Sequence, residues 1–375
     1  MTTLFSTQKR REILLVVILL AVVFVPLFSH LGHLPIRLWD ESRLVCNAME
    51  MIETEDLIVT QFNGSPEMWN TKPPLMIWLQ AASIKIFGAA EFAVRFPSAL
   101  AGLATCVLLF WFGRRLGSAW LGLAAVLVLV TSPGYTGEHG TRTGDYDALL
   151  TLFTTMGLLF WFLWCEAGKT KYLYWFFMVL MLGVMTKGVA GLLFLPAVGM
   201  FALLQKRALS VLRVKHFYFG LLIFLIPVAA YYLGREALNP GYLEAVYNNE
   251  LGGRYVGTLE NHSGGFWYYW ELLVNGRFGM WYILVPCGLA LGLWSADQLM
   301  QKLTLFLTLS LLSYFLVISS AASKLVWYDV PLYPILAWSV ALFVKFIVDR
   351  LTQLSLSGLG LQRNVLPFIF IFYCF

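Results

Sequence analysis

Long apolar runs recur along the whole chain, and they restrict the fold more than any other feature of the sequence. The runs are residues 13–28, 96–113, 119–133, 148–165, 172–185, 189–204, 217–233, 280–294, 303–319, 331–348 and 365–375. A helix needs about 20 apolar residues to cross a bilayer, and several runs reach that length only with their flanks. Because a backbone in lipid must satisfy its own hydrogen bonds, the sequence predicts an all-α, polytopic membrane helix bundle with about 11 spanning helices.

Composition also favours a chain embedded in lipid. Of the 375 residues, 59% are hydrophobic and 13% are charged, whereas soluble domains are about 45–50% apolar and about 25% charged. The net charge of +5 is scattered between the apolar runs, so nucleic acid is not an expected partner. The five cysteines have no CxxC or other metal-ligand spacing. Neither a disulfide framework nor a zinc site is therefore indicated.

The lysine and arginine residues set the orientation. Basic residues 9–11 precede the first run, which predicts a cytoplasmic N-terminus. The short run 74–88 carries Lys85, and we expect it to lie at the membrane interface instead of spanning. With that choice, the later basic clusters near residues 114, 169, 206, 213, 302 and 345 all face the cytoplasm. The outer side then holds loop 29–73, with short helices along the membrane, and loop 235–270.

The polar motifs with unusual chemistry all fall on the outer side in this topology. They are residues 39–43, 70–74, 142–147, 186–188, 235–270 and 323–328. Six separate segments that converge on one face predict a single active site outside the cytoplasm.

Asp40 and Glu41 follow the first helix almost at once. One interpretation is a pair of solvated loop acids. The other is a general base or metal ligand at the membrane surface, where a carboxylate deprotonates a hydroxyl or orients a weak nucleophile. Arg43 is near enough in sequence to pair with these acids or to bind a phosphate oxygen.

Two further motifs also allow a structural and a functional interpretation. Lys72 precedes two prolines, so it is either a lysine that snorkels from a helix start or a fixed positive charge for a phosphate. Asp145 and Asp147 precede the run 148–165. One of them could cap that helix, or both could bind a divalent ion or a sugar hydroxyl.

Lys187 and Lys324 lie between closely spaced apolar runs on the outer side, against the positive-inside trend. Charge at a membrane boundary is costly unless paired, and it often marks a functional site. Together with Arg254 and Arg277, these lysines predict an outer face that binds phosphate. His262 precedes the aromatic segment 266–270 and has no second histidine at ligand spacing, so the residues alone favour a loop position over a metal site.

The order of these motifs resembles the GT-C membrane glycosyltransferases of the protein O-mannosyltransferase superfamily. The most similar branch is the bacterial one that includes the lipid A aminoarabinose transferase, and the resemblance runs from about residue 11 to about residue 348. The matching positions are Asp40-Glu41, Lys72-Pro73, Asp145-Tyr146-Asp147, Met185-Thr186-Lys187-Gly188, His262 with Phe266-Trp267-Tyr268-Tyr269, and Lys324 with Tyr328.

The resemblance implies a transferase that moves a sugar from a polyprenyl-phosphate donor to a lipid, glycan or protein acceptor, with inversion at the sugar. It assigns catalysis to Asp40 and Glu41. Together with the charges noted above, we expect donor phosphate binding by Arg43, Lys72, Lys324 and Tyr328, and sugar or acceptor binding by Asp145, Asp147, Lys187, Arg254 and His262. The implied location is the plasma (inner) membrane of a bacterium, with the active site on the periplasmic or extracellular face.

Two departures from the family pattern concern the metal and the acceptor. Thr71 replaces the glutamate before the family's lysine-proline motif, and the family's glutamate-histidine pair reads Glu250-Leu251 here. No cofactor is certain, and a divalent metal is left open. The chain also stops inside an apolar run, which we interpret as the end of a truncated or short member. A transporter or lipid flippase is the alternative function, and a non-catalytic scaffold is a second one.

Overall fold

The computed structural model describes residues 16–257 and 262–353. This part of the chain is helical apart from turns, an isolated bridge and one small hairpin. The α-helices are α1 Val16–Phe28, α2 Asp40–Thr54, α3 Leu75–Phe87, α4 Glu91–Arg115, α5 Ala119–Val130, α6 Pro133–Thr136, α7 Asp147–Ala167, α8 Thr170–Lys187, α9 Leu195–Leu204, α10 Ala208–Leu212, α11 Lys215–Leu238, α12 Tyr242–Val246, α13 Tyr268–Leu272, α14 Leu284–Leu293, α15 Gln298–Ser320 and α16 Tyr333–Gln353.

Shorter elements join these helices. The strands are β1 Gln61–Phe62 and β2 Ser65–Pro66, paired antiparallel. Turns of 3₁₀-helix cover Gly188–Leu192, Gly279–Ile283 and Val326–Leu332, and π-helical segments cover Tyr247–Val256 and Leu273–Arg277.

Six helical stretches of the described chain are long and apolar enough to cross a membrane. They are Glu91–Arg115, Asp147–Ala167, Thr170–Leu192, Lys215–Leu238, Gln298–Ser320 and Val326–Arg350. Shorter apolar helices add Val16–Phe28, Leu75–Phe87, Ala119–Val130, Leu195–Leu204 and Gly279–Leu293. The predicted all-α, multi-pass membrane architecture is confirmed, while the number of about 11 spans stays a prediction. The last run, 365–375, and the first residues of run 13–28 lie outside the described residues.

The segment between α1 and α4, which includes helix α3, stays at one end of the bundle. The 13 residues of α3 give a length of about 20 Å, which is less than the roughly 30 Å of a hydrocarbon core. Near the start of the next helix, Arg95 donates from Nη1 to the carbonyl oxygens of Leu31 and Leu34, both at 2.8 Å. Those carbonyls directly follow α1, so the chain does not cross the bundle between α1 and α4. The predicted interfacial position of run 74–88 agrees with this geometry.

Small residues let the spanning helices approach closely. A Cβ atom on Gly113 would lie 2.3 Å from the backbone nitrogen of Gly122, where α4 meets α5. A Cβ atom on Gly288 would lie 1.8 Å from the carbonyl oxygen of Ser339, where α14 meets α16. Membrane helices associate through such close van der Waals packing because lipid removes the hydrophobic drive between them. These contacts fix the relative positions of the loops at the helix ends.

The two ends of the bundle differ in chemistry. At one end Arg115 donates to the hydroxyl of Tyr172 at 2.8 Å, and Lys302 pairs with Glu166 at 3.1 Å. These are residues of the basic clusters that the sequence places in the cytoplasm. The motif segments 39–43, 70–74, 142–147, 186–188 and 323–328 lie at the opposite end.

Candidate active site

Helix α2 presents two adjacent carboxylates with opposite environments. Its first residues are Asp40 and Glu41, and its inner face buries Leu44, Ala48 and Met51. The side chain of Asp40 is 49% exposed, whereas that of Glu41 is 1% exposed. The periodicity of a helix separates neighbouring residues by about 100° around the axis, which places one acid against the bundle and the other at the open surface.

Glu41 is a hub between three segments. Arg95 donates to both carboxylate oxygens at 2.8 and 2.9 Å, and the backbone amides of Arg37 and Gly144 each donate at 2.8 Å. Both oxygens therefore accept two hydrogen bonds from inside the protein. These hydrogen bonds hold loop 142–147 against the start of α2, and the catalytic role that the sequence predicts for Glu41 stays a prediction.

Asp40, His139 and Asp145 form a cluster at the outer surface. The Nδ1 atom of His139 lies 3.2 Å from Asp145 Oδ2 and 4.0 Å from Asp40 Oδ2. Trp327 stacks on the other side of the imidazole, with ring centroids 3.7 Å apart. Burial opposes protonation of His139, but the hydrogen bond and charge of Asp145 outweigh it and raise its pKa above the ordinary value of 6.5.

The donor atoms of this cluster suit a divalent metal. One atom from each of Asp40, His139 and Asp145 lies within 4.8 Å of the others. The Oδ1 of Asp145 is buried without a hydrogen-bond partner among the described residues. Orphaned buried polar atoms call for an explanation such as an ion, and mixed nitrogen and oxygen ligands are common for catalytic metals. The residues present therefore fit a metal centre.

Sequence reasoning missed His139 because the residue stands alone in its motif and has no partner at a regular spacing. Its backbone has a positive φ of 56°, which is uncommon for a residue other than glycine, and the sequence carries no sign of that conformation. The fold alone brings the ring to Asp145 and Trp327.

A cavity that contains two lysines lies beside Asp147. It contains about 680 Å³ of empty space and opens to the surface. Lys72 pairs with Glu250 at 3.2 Å, and Lys187 pairs with Asp147 at 2.5 Å. The Nζ of Lys187 also lies 5.4 Å from the ring centre of Tyr328. The remaining wall is mostly apolar, with Leu150, Val189, Ala190, Leu193, Tyr255, Tyr314, Val317, Ile318 and Ala321.

The acids of the second motif do not cap helix α7. The Oδ1 of Asp147 accepts from Lys187, and Oδ2 of Asp145 accepts from the hydroxyl of Thr143 at 2.5 Å. No side chain caps the amides at the start of α7. The capping interpretation is thus replaced by one acid in the surface cluster and the other in the cavity wall.

Arg43 supports the loop that leads to Lys72. Its guanidinium donates to both carboxylate oxygens of Glu67 at 2.7 and 2.8 Å, and Glu67 also accepts from the backbone amides of Trp69 and Asn70. Burial opposes ionisation of Glu67, but the hydrogen bonds from Arg43 and these amides outweigh it and lower its pKa. Arg43 thus pairs with Glu67, and its predicted role in binding the donor phosphate stays a prediction.

Lys324 closes the end of α15. Its ammonium group donates to the carbonyl oxygens of Ile318, Ser319 and Ala321 at 3.1, 2.6 and 2.5 Å. Burial lowers its pKa. These three hydrogen bonds use all the protons of an ammonium group. Lys324 thus holds the end of α15, and its predicted role in binding the donor phosphate stays a prediction.

The two other binding residues of the sequence prediction lie farther along the outer loop. The backbone carbonyl of His262 accepts from the amide of Lys324 at 2.9 Å, and the side chain of His262 is exposed. Arg254 belongs to the π-helical segment Tyr247–Val256, and its side chain lies outside the described part of the chain. A role in binding remains a prediction for both.

Known proteins share both sequence and fold with this chain. The family model described as dolichyl-phosphate-mannose-protein mannosyltransferase matches residues 71–232. Proteins named undecaprenyl phosphate-alpha-4-amino-4-deoxy-L-arabinose arabinosyl transferase match at 29% identity in Aeromonas hydrophila and at 30% in Edwardsiella ictaluri. The crystal structure of ArnT from Cupriavidus metallidurans bound to undecaprenyl phosphate has a TM-score of 0.76 at 20% identity, over 92% of this chain and 63% of that one.

The chain resembles the GT-C membrane glycosyltransferases in sequence and in fold. The resemblance inferred from the motif order is thus confirmed, including its proximity to the aminoarabinose transferase branch. The two arabinosyl transferase matches cover 84% and 91% of this chain but 58% and 61% of those proteins. The chain therefore spans about three fifths of the length of the curated proteins that it matches.

Proposed function

We propose that the chain is a glycosyltransferase that moves a sugar from a polyprenyl-phosphate donor to an acceptor at the non-cytoplasmic face of the membrane. The observation that carries the proposal is the position of two ammonium groups, of Lys72 and Lys187, in an apolar cavity next to the surface acids. A lysine is a compact positive charge suited to a phosphate. Apolar walls between membrane helices suit a lipid tail.

A second cavity supports the lipid donor. It holds about 320 Å³ of empty space between α7, α8 and α9, one to two helical turns deeper along α7 than Leu150. Its lining is largely aliphatic and aromatic, with Phe153, Leu158, Phe176, Val179, Phe194 and Val198. This lining would suit the apolar tail of a donor whose phosphate lies between the lysines.

The reaction is a single displacement at the anomeric carbon of the sugar. The acceptor oxygen forms a bond to that carbon while the bond from the carbon to the phosphate oxygen breaks. The electron pair of the breaking bond goes to the phosphate, where Lys72 and Lys187 stabilise the growing charge, and the acceptor proton goes to the Asp40 carboxylate. Asp145 and Asp147 stand between these groups and bind the sugar or the acceptor.

The surface cluster adds a metal to this proposal. Asp40, His139 and Asp145 would hold a divalent cation, which when bound supplies positive charge beside the carboxylates and draws electron density from an oxygen ligand. The residues by themselves orient the acceptor toward the cavity. Glu41 keeps Asp40 in place through Arg95 and Gly144.

The orientation follows from the positive-inside rule. We place the basic end of the bundle in the cytoplasm and the site on the periplasmic or extracellular face of a plasma membrane. Relatives named as transferases that use an undecaprenyl phosphate sugar support this location. The acceptor is a lipid, glycan or protein that reaches the outer leaflet.

The test is a substitution at Asp40. Asp40→Asn removes the base but keeps the size of the side chain, and we expect transfer from radiolabelled polyprenyl-phosphate sugar to fall by about 10²–10⁴-fold, the usual contribution of a general base. The matched control is Glu53→Gln, an exposed acid on the same helix, which should keep full activity. Undiminished transfer by Asp40→Asn would remove this residue from the mechanism. Movement of an intact lipid across the membrane without sugar transfer would instead favour the flippase alternative.

A further inference from the structure

The π-helical segment Tyr247–Val256 lies over the lysine cavity, and we call it the strap. Two of its side chains, Glu250 and Tyr255, form part of the cavity wall. Long π-helical segments are rare, and π-helical geometry occurs frequently at functional sites. The strap therefore contributes to the wall around Lys72 and Lys187.

The strap is attached on both sides of the cavity. On one side Asn249 donates to the carbonyl oxygen of Met68 at 2.9 Å, in the loop that leads to Lys72. On the other side the hydroxyls of Tyr255 and Ser320 lie 2.9 Å apart, and the amide of Ala322 donates to the carbonyl of Tyr255 at 3.0 Å. The cavity roof therefore bridges the first outer loop and the end of α15.

Glu250 contacts Lys72, the lysine that the proposed function assigns to the donor phosphate. Its Oε1 lies 3.2 Å from Lys72 Nζ, and the two side chains are only 10% and 12% exposed. A carboxylate and a phosphate offer a lysine the same contact, a negatively charged oxygen acceptor. A lipid phosphate that approaches Lys72 must therefore displace Glu250 or share the lysine with it.

We propose that Glu250 is an internal competitor for the lipid phosphate at Lys72 and that it promotes release of the spent carrier. This inference rests on the proposed function. The donor is a phosphodiester with one negative charge, whereas the spent carrier is a monoester that carries about −1.5 to −2 charges near pH 7. The lysines thus hold the spent carrier more tightly than the donor.

Competition from Glu250 would speed the release of the tightly held spent carrier. Product release limits the turnover of many enzymes, and a carboxylate that returns to Lys72 weakens the hold on the spent carrier. The buried pair is itself costly to desolvate, so it is readily exchanged for a phosphate that also gains an apolar cavity for its tail. Glu250 therefore costs some donor affinity and shortens the residence of the carrier.

The variant that tests the inference is Glu250→Gln, with Glu244→Gln as its matched control. Glu244 is an exposed acid in the helix directly before the strap. We expect Glu250→Gln to bind undecaprenyl phosphate about tenfold more tightly than the wild type and to release it more slowly by a similar factor, about the effect of removing one close charge pair. Glu244→Gln should match the wild type in both measurements.

Binding and dissociation of undecaprenyl phosphate are measured on the full chain in detergent micelles. An affinity of Glu250→Gln equal to or weaker than that of the wild type would overturn the inference. If the wild type itself fails to bind undecaprenyl phosphate, the proposed function is what fails.

Hydrogen exchange on the wild type gives a second test that does not depend on a folded variant. Undecaprenyl phosphate should increase exchange in residues 247–256, because the strap loses its contact with Lys72 when Glu250 leaves. Unchanged or slower exchange in the strap, with the carrier bound, would contradict displacement of Glu250.

Discussion

Asp147 and Lys187 show how a single buried pair serves both stability and function. Their charged atoms lie 2.5 Å apart, and their side chains are 3% and 7% exposed. Taking either charge out of water costs several kcal/mol, and the attraction between them offsets that cost only while both are present. The same lysine faces the cavity in which the proposed donor phosphate lies.

We therefore predict different effects for one and two substitutions at this pair. Lys187→Met should destabilise the protein by about 3–5 kcal/mol, because it leaves Asp147 buried without its partner. The double variant Lys187→Met/Asp147→Leu should recover most of that stability, since two apolar side chains remove both charges, while sugar transfer stays lost. Thermal unfolding in detergent and a transfer assay measure the two effects. A single variant as stable as the wild type would contradict the importance of the pair.

We predict that protonation of His139 stabilises the folded protein in a pH-dependent way. Its pKa is raised above 6.5 in the folded protein, against the effect of burial, by Asp145 and the neighbouring acids. The stabilisation is fully present below the unfolded pKa and is lost as the pH rises through the folded pKa. In metal-free protein, the thermal stability of the wild type should exceed that of His139→Gln most at about pH 5.5–6 and least at about pH 8.5. A gap that stays constant or widens with rising pH would contradict protonation beside Asp145.

At the scale of elements, one ion pair couples the first and second outer loops. Glu41 at the start of α2 and Arg95 near the start of α4 are 1% and 3% exposed in the structure. Arg95 also binds the carbonyls after α1, and Glu41 binds the amide of Gly144. The Glu41–Arg95 ion pair thus joins helices α2 and α4 to two loops. Asp40 directly precedes Glu41 in the sequence.

The coupling predicts that Arg95→Met disturbs the site from a distance. The substitution leaves the Glu41 carboxylate buried without its charged partner, which should cost about 3–5 kcal/mol of stability. Hydrogen exchange should rise in residues 137–146, because Gly144 loses its fixed acceptor, and sugar transfer should fall although Asp40 is intact. Arg213→Met is the control, since Arg213 is an exposed arginine outside the segments that form the site. Unchanged exchange in 137–146 would show that the loops are held by other contacts.

The helices themselves were largely predictable. Apolar runs such as 96–113 and 148–165 became α4 and α7 because lipid allows the backbone only closed hydrogen bonding. Their ends shifted where polar residues continue the helix, as α4 does from Glu91 to Arg115. The π-helical segment Tyr247–Val256 was not predictable, since its hydrogen bonding follows from contacts with Met68 and Ser320.

At the scale of the whole molecule, the bundle separates a basic end from an end with the candidate site. Arg115, Lys302 and their partners lie at the first end. Asp40, Lys72 and Lys187 lie at the second. Because the two ends differ, the side of the membrane that one end faces determines the side that every loop faces.

Cysteine labelling in intact cells determines which end of the bundle faces the cytoplasm. In a background with Cys46, Cys106, Cys165, Cys287 and Cys374 replaced, we expect Glu53→Cys to react with a membrane-impermeant thiol reagent and Lys169→Cys to stay unlabelled until the cells are opened. Both positions are exposed and lie at opposite ends of the bundle, and the positive-inside rule puts Lys169 in the cytoplasm. The reverse pattern would place the candidate site inside the cell and remove the proposed location.

The sequence by itself determined that the chain lies in lipid, that it is helical, which orientation the basic residues predict and which segments are polar. These features depend on local composition and on residues that are near each other along the chain. Only the tertiary structure decided which charges meet. Asp40 faces His139 while its neighbour Glu41 is buried against Arg95, and Lys72 faces the cavity while Lys324 closes a helix. Partner choice between charges depends on distances across the bundle, which helix packing sets and residue spacing does not record.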